Sequence, residues 1–281
     1  MTILLALSAL MAGALYALAW FSALRRFSAR TPRDAGVPAP VGATQTGVLL
    51  AAAACHAVAL GSGVLAGDGL RYGFGPALSA SFLVGVLVLL VEPLSSRVDA
   101  LRVVVLPATL VMALLPLAFP GTEFPAERAR PLFLPHLVFG TLAYGVLLLA
   151  ALYASLMSVV ERSLHRASTP AEGGWLARLP PLLVLERILF RLITFGFLML
   201  TLTALTGVVF TDQVFGRPLR FDHKTVFTLV SWLLFGTLLV GRRLRGWRGR
   251  TALAFTTAGF ALLLLGYVGS RFVLEVILQR S

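Results

Sequence analysis

Apolar residues in this chain run in long blocks, and polar residues gather in the short gaps between them. Blocks near residues 3–24, 43–66, 76–95, 103–119, 132–160, 188–211, 224–241 and 251–275 approach or exceed the ~20 residues that an α-helix needs to cross a ~30 Å hydrocarbon layer. Runs of this length, apolar on every face, predict buried or lipid-facing helices rather than strands that alternate inward and outward. The predicted fold is all-α, a polytopic membrane bundle of about eight transmembrane helices. The first block has no basic residue before it and Arg25 and Arg26 directly after it. That is the reverse of a cleavable signal's charge order, so a retained helix is expected.

Composition agrees. Of 281 residues, 58% are hydrophobic and 13% charged, and the mean hydropathy is +0.89; a soluble domain has about 25% charged residues. No gap is long enough to fold separately, so residues 1–281 are read as one membrane domain. Front helices occupy 1–160, a linker 161–187, and a rear core 185–275. The linker, "ERSLHRASTPAEGGWLARLPPLLVLER", is broken by Pro, Gly and Ser. Its end regains helical spacing through Leu182, Leu185 and Leu189, either as an interfacial helix or as an amphipathic entry to the sixth span. Pro107 and Pro116 fall in the fourth span, and each removes a backbone donor. Small residues crowd "AAAACHAVALGSG" in the second, which permits close helix approach.

Charge sets the expected orientation. Loops after odd-numbered spans hold fifteen arginines, while the opposite side holds seven basic residues, among them Arg71, Arg217, Arg220 and the only lysine, Lys224. The positive-inside rule therefore places the first set in the cytoplasm and both termini outside. The net charge of +12 is better matched by anionic lipid headgroups than by nucleic acid, and "GRRLRGWRGR" at 241–250 reads as a lipid-contact loop. A single cysteine, Cys55, leaves neither a disulfide nor a C-x-x-C motif, so dithiol redox chemistry by this chain alone is excluded.

The informative residues are polar groups that are out of place. His56 lies mid-membrane in the second span, where an ionisable side chain costs ~2.5 kcal/mol or more on insertion scales. It is either a haem-iron ligand or an interhelical hydrogen-bonding residue. His136 stands at the outer start of the fifth span behind Pro135, and His223 at the matching start of the seventh. Two imidazoles on separate helices at similar depth suit the two faces of one haem iron; the alternative is a pair of interfacial anchors. Asp222 is an N-cap for the seventh span or a carboxylate neighbour to His223. Arg217 and Arg220 would clamp haem propionates or lipid phosphates. Phe210, Phe215, Phe221 and Phe227 supply ring surface, for a porphyrin or for an aromatic belt. His165 sits in the basic linker and is read as solvated.

From about 185 to 270 the chain resembles the CcsA/CcmC-type cytochrome c assembly family. The likeness lies in "LERILFRLITFGFLMLTLTALTGVVF", a short outer segment, "FDHKTVFTLVSW", a basic turn and a last span. Asp222, Lys224 and Trp232 match the family's stretch entering this helix, and "LPHLVFGTLAYGVLLLAALYASL" resembles its helix opening with a haem-ligating histidine, which corresponds to His136. The departures are equally plain. Phenylalanines replace the family's outer tryptophans, the second outer histidine has no counterpart after the last span, and His223 stands where that family has a proline. The chain is thus similar to a small divergent branch, the HemX/YpjD-like membrane proteins.

What the resemblance implies is a haem-binding inner-membrane protein acting in cytochrome c assembly or haem delivery at the extracytoplasmic face. Haem b would be held non-covalently, with apocytochrome c and other assembly proteins as partners, and no nucleic acid. It implies an assembly factor rather than a complete haem lyase. The competing expectation is a transporter, or an accessory subunit with a vestigial haem site.

Overall fold

A computed structural model describes residues 2–29, 42–65, 69–91, 99–125, 133–166, 182–215 and 223–269. It contains eight α-helices: α1 (Thr2–Ala29), α2 (Ala43–Val64), α3 (Phe74–Val91), α4 (Asp99–Ala118), α5 (Phe133–Arg166), α6 (Leu182–Phe215), α7 (His223–Arg245) and α8 (Arg250–Leu264). Seven of them are long and apolar enough to cross a membrane. The eighth has 15 residues and continues as a π-helical turn, Leu265–Gly269; the rest of the expected span to 275 lies outside the described residues.

Helix α1 shows why these runs pack as they do. Ala9, Ala12, Tyr16, Ala19 and Ala23 are buried, a stripe at three- and four-residue spacing that turns one narrow face inward. The small side chains let α1 lie close on α2 and α4, where Ala52, Ala53 and Ala59 answer from α2. The other face of α1 exposes Ile3, Leu7, Leu10 and Leu18, as a lipid-facing surface should. Helix α5 joins the two groups of helices, packing on α3 in front and on α6 and α8 behind. At Gly145 a Cβ would stand 2.6 Å from Ser81 O of α3, so only glycine permits that approach. One apolar core runs through both groups, with Tyr16, Leu101, Leu147, Leu189 and Phe235 among its members.

Two features differ from the sequence reading. The stretch read as a linker is helical at both ends, since α5 continues to Arg166 and α6 begins at Leu182. Among the described residues Leu182, Leu185 and Leu189 all lie on one continuous α6, with Leu185 and Leu189 fully buried, so from Leu182 onward this segment is the amphipathic entry to the sixth span. Second, two short strands, β1 (Gly69–Tyr72) and β2 (Thr122–Pro125), pair antiparallel with Arg71 opposite Glu123. Their side chains form an exposed ion pair at 3.7 Å. Gly121 turns the chain into β2 at φ +79°, and a Cβ there would stand 2.6 Å from the Tyr72 carbonyl carbon. The ribbon links the α2–α3 and α4–α5 connections at the end of the bundle where α5 and α7 begin.

Candidate functional site

His136 is in the first turns of α5 and points at α6. Its Nδ1 lies 3.0 Å from Thr203 O and 3.3 Å from Thr206 Oγ1. A carbonyl only accepts, so Nδ1 carries the proton and, in the neutral ring, Nε2 carries the lone pair. Thr206 donates its own proton to Leu202 O at 2.7 Å and serves the imidazole as a second acceptor. The contact has room because residue 207 is glycine; a Cβ there would come within 3.0 Å of His136 Cε1. An imidazole whose Nδ1–H is fixed by a carbonyl, with the pair on Nε2, is the tautomer that metal-ligating histidines use.

His223 is the first residue of α7 and is exposed. The helix start behind it is braced by the π turn after α8. A Cβ on Gly266 would meet Phe227 Cβ at 3.2 Å and Lys224 O at 3.5 Å, so glycine lets the two segments close up. The Tyr144 hydroxyl on α5 donates to Leu263 O, giving that carbonyl a partner outside its own helix just before the ladder shifts to the wider π spacing. Further down, Trp232 fastens α7 to α6, donating to Thr201 Oγ1 at 2.9 Å and stacking on Phe197 with 5.5 Å between centroids.

The alternation of helices brings the starts of α5 and α7, and with them His136 and His223, to the same end of the bundle. The other outer-site candidates, Arg217, Arg220, Phe221 and Asp222, fall at 216–222, outside the described residues. The side chains of His165, Phe210 and Phe215 are outside them as well.

His56 is elsewhere. It is fully buried on α2, with Nδ1 3.3 Å from the Tyr16 hydroxyl of α1 and Nε2 2.8 Å from Ser79 Oγ of α3. The Tyr16 ring meets it edge-on at 5.8 Å. In a neutral imidazole one nitrogen donates and the other accepts, so one hydroxyl donates to the ring and the other receives from it. Three helices are tied through one side chain, which is the interhelical hydrogen-bonding arrangement. Cys55 beside it is a free thiol, half-buried.

Among the described residues no three His, Cys, Asp or Glu side chains converge, so no chelate for a bare metal ion is built there. Imidazoles standing singly on separate helices are the donor set that a porphyrin iron takes, since the macrocycle supplies the other four ligands. The residues present therefore fit haem. Sequence reading missed Thr203, Thr206 and Gly207, the groups that orient His136. Their signal is "TLTALTG", a cluster of small polar residues in an otherwise apolar span. It also missed Tyr72 of the ribbon, whose hydroxyl lies 3.1 Å from Thr141 Oγ1 on α5, little more than one turn below His136.

Comparison with known proteins extends this picture. The sequence model described as Cytochrome C assembly protein matches residues 47–278. The match begins in α2, further forward than the rear motifs alone reach. Inner membrane protein YpjD of Escherichia coli (strain K12) is 32% identical over 228 residues, covering 79% of this chain and 83% of its own length. Cytochrome c biogenesis protein CcsA of Prochlorococcus marinus (strain MIT 9515) is 35% identical over 89 residues, 32% of this chain and 28% of its own length. CcsA of Cyanophora paradoxa is 34% identical over 85 residues, 30% of this chain and 26% of its own. With seven helices long and apolar enough to cross a membrane and an inner-membrane relative matched along most of its length, the protein is a multi-pass inner-membrane protein. A model match over most of its length and a relative covered along most of its own make this chain a member of the cytochrome c assembly protein family.

Proposed function

We propose that this chain serves cytochrome c biogenesis by holding haem b, non-covalently, at the extracytoplasmic face, with His136 and His223 as axial ligands. The observation that supports this most is the Nδ1–H of His136 bonded to Thr203 O at 3.0 Å, which leaves the lone pair of the neutral ring on Nε2. His223, exposed at the head of α7, is the second donor on the same face. The excess of arginines at the other end of the bundle supports reading this face as extracytoplasmic. Bound haem would supply the iron redox couple and the vinyl groups that an apocytochrome accepts. The chain's own residues bind and orient. His136 and His223 ligate, Arg217 and Arg220 hold the propionate carboxylates, Phe221 covers ring surface, and Asp222 holds the His223 ring in the right tautomer. Apocytochrome c and other assembly proteins are the partners this role requires. His56, with both nitrogens engaged, would serve as a ligand only by giving up Tyr16 or Ser79; we assign it to the architecture.

The test is the absorption spectrum of the full-length protein purified in detergent. A Soret band of b type is expected, and His136→Ala and His223→Ala should each shift or bleach it. Unchanged spectra and full loading in both variants would exclude the outer pair. A colourless preparation that takes up no added haem would favour a transporter or accessory subunit instead.

A further inference from the structure

At the opposite end of the bundle, α6 enters beside the turn between α7 and α8. Glu186 of α6 is 8% exposed and is shared by two arginines. Arg248 takes its Oε1 through Nε at 2.8 Å, while Arg242 Nη1 stands 4.0 Å from the same oxygen. The Arg242 guanidinium lies over the Phe190 ring at 3.4 Å from its centroid, which covers one of its faces. Among the described residues its Nη1 is buried with no hydrogen-bond acceptor. One carboxylate thus faces two guanidinium groups, and the Arg242 and Arg248 side chains remain 36% and 57% exposed, open to a further anion.

Charge balance points the same way. Residues 182–191 and 241–250 hold seven arginines against the single carboxylate of Glu186. The turn that presents them is held in shape. Trp247 packs so tightly on Gly241 that a Cβ there would stand 2.3 Å from the indole, and it meets Phe255 at 5.3 Å. Aromatic side chains beside arginines at a helix end mark the level of lipid headgroups.

We propose that Arg242, Arg248 and the α7–α8 turn form a binding site for the phosphodiester of an anionic phospholipid, which pairs with the exposed parts of the two arginine side chains that Glu186 leaves uncovered. This site is separate from the proposed haem face and does not depend on it. Glu186 competes with the lipid for the two guanidinium groups, and so sets the strength of binding.

The experiment uses the full-length protein in detergent and counts retained lipids by native mass spectrometry after incubation with cardiolipin, phosphatidylglycerol or phosphatidylcholine. Saturable retention of the two anionic lipids over phosphatidylcholine is expected. Arg242→Gln should weaken it about fivefold, as loss of one well-placed arginine at a membrane surface does. Glu186→Gln should strengthen it, and where that variant fails to fold, Arg248→Gln should weaken it. Arg245→Gln, exposed on the same turn, should have the smaller effect. Equal effects of Arg242→Gln and Arg245→Gln would mean a diffuse surface potential and overturn the site. Equal retention of phosphatidylcholine would do the same, as would inorganic phosphate at millimolar concentration displacing the lipid completely.

Discussion

The indole N–H of Trp20 on α1 donates to the carbonyl of Val103 on α4 at 3.0 Å. Residue 107, the normal helical donor to that carbonyl, is proline and has no N–H to give. A membrane helix cannot leave the gap to water, so a neighbouring helix fills it. Proline is accommodated in α4 because tryptophan stands opposite on α1.

This pairing predicts coupling. Trp20→Phe keeps the ring but strands the carbonyl, and should lower stability by about 1–3 kcal/mol. In a Pro107→Ala background the helix supplies its own donor, so the same Trp20→Phe change should cost much less. Thermal unfolding of the two single variants and the double variant in detergent measures this. Strictly additive effects would show that the indole bond does not serve the vacated carbonyl.

The orientation of His136 predicts an asymmetry between two glycines on α5 and α6. A Cβ on Gly207 would press on His136 Cε1 at 3.0 Å, whereas one on Gly140 would meet Thr203 Cγ2 at 3.5 Å, an ordinary contact. Gly207→Ala should therefore turn the imidazole off Thr203 O and lower haem retention. Gly140→Ala should leave both nearly unchanged. Reduced-minus-oxidised spectra of the two variants compare them directly, and equal spectra with equal loading would count against His136 as a ligand.

His56 invites a different expectation. Its removal strands the Tyr16 and Ser79 hydroxyls and opens a cavity between three helices. His56→Ala should lower the unfolding temperature, at about 1–3 kcal/mol, and leave the haem spectrum of the outer site intact. Loss of the Soret band at unchanged stability would move ligation into the core and refute the structural assignment.

The eight helices were legible because lipid solvation demands long apolar runs, a signal that survives without knowledge of neighbours. The misplaced histidines were legible for the same reason, as exceptions to it. Their partners were not. Thr203, Thr206 and Ser79 are ordinary in a membrane helix, where hydroxyls commonly satisfy a carbonyl one turn back, as Thr203 does with Met199 O. Only packing decides which of them meets an imidazole. The ribbon was invisible for another reason. "GLRY" and "TEFP" are too short to alternate, and they form a sheet only because the helices bring residues 69–72 and 122–125 together.

That ribbon gives the last prediction. Tyr72 docks it on α5 through Thr141, while the exposed Arg71–Glu123 pair should be worth under ~1 kcal/mol. Tyr72→Phe should therefore loosen the ribbon by about 0.5–1.5 kcal/mol, and Glu123→Gln by less. Hydrogen exchange should rise at β1 and β2 with little change in the helices. Alkali should reproduce the effect in the unaltered protein. Burial raises the Tyr72 phenol above its ordinary value, and the Thr141 hydrogen bond only partly opposes this. The unfolded ribbon loses its phenolic proton near pH ~10, while the docked one keeps it to higher pH. Unfolding then releases a proton, so the Tyr72 contribution is complete below pH ~10 and declines as pH rises toward the docked value. Exchange at β1 and β2 in the unaltered protein should climb above pH ~10 relative to Tyr72→Phe. Parallel pH profiles in the two proteins would show that the ribbon is held by something other than this phenol.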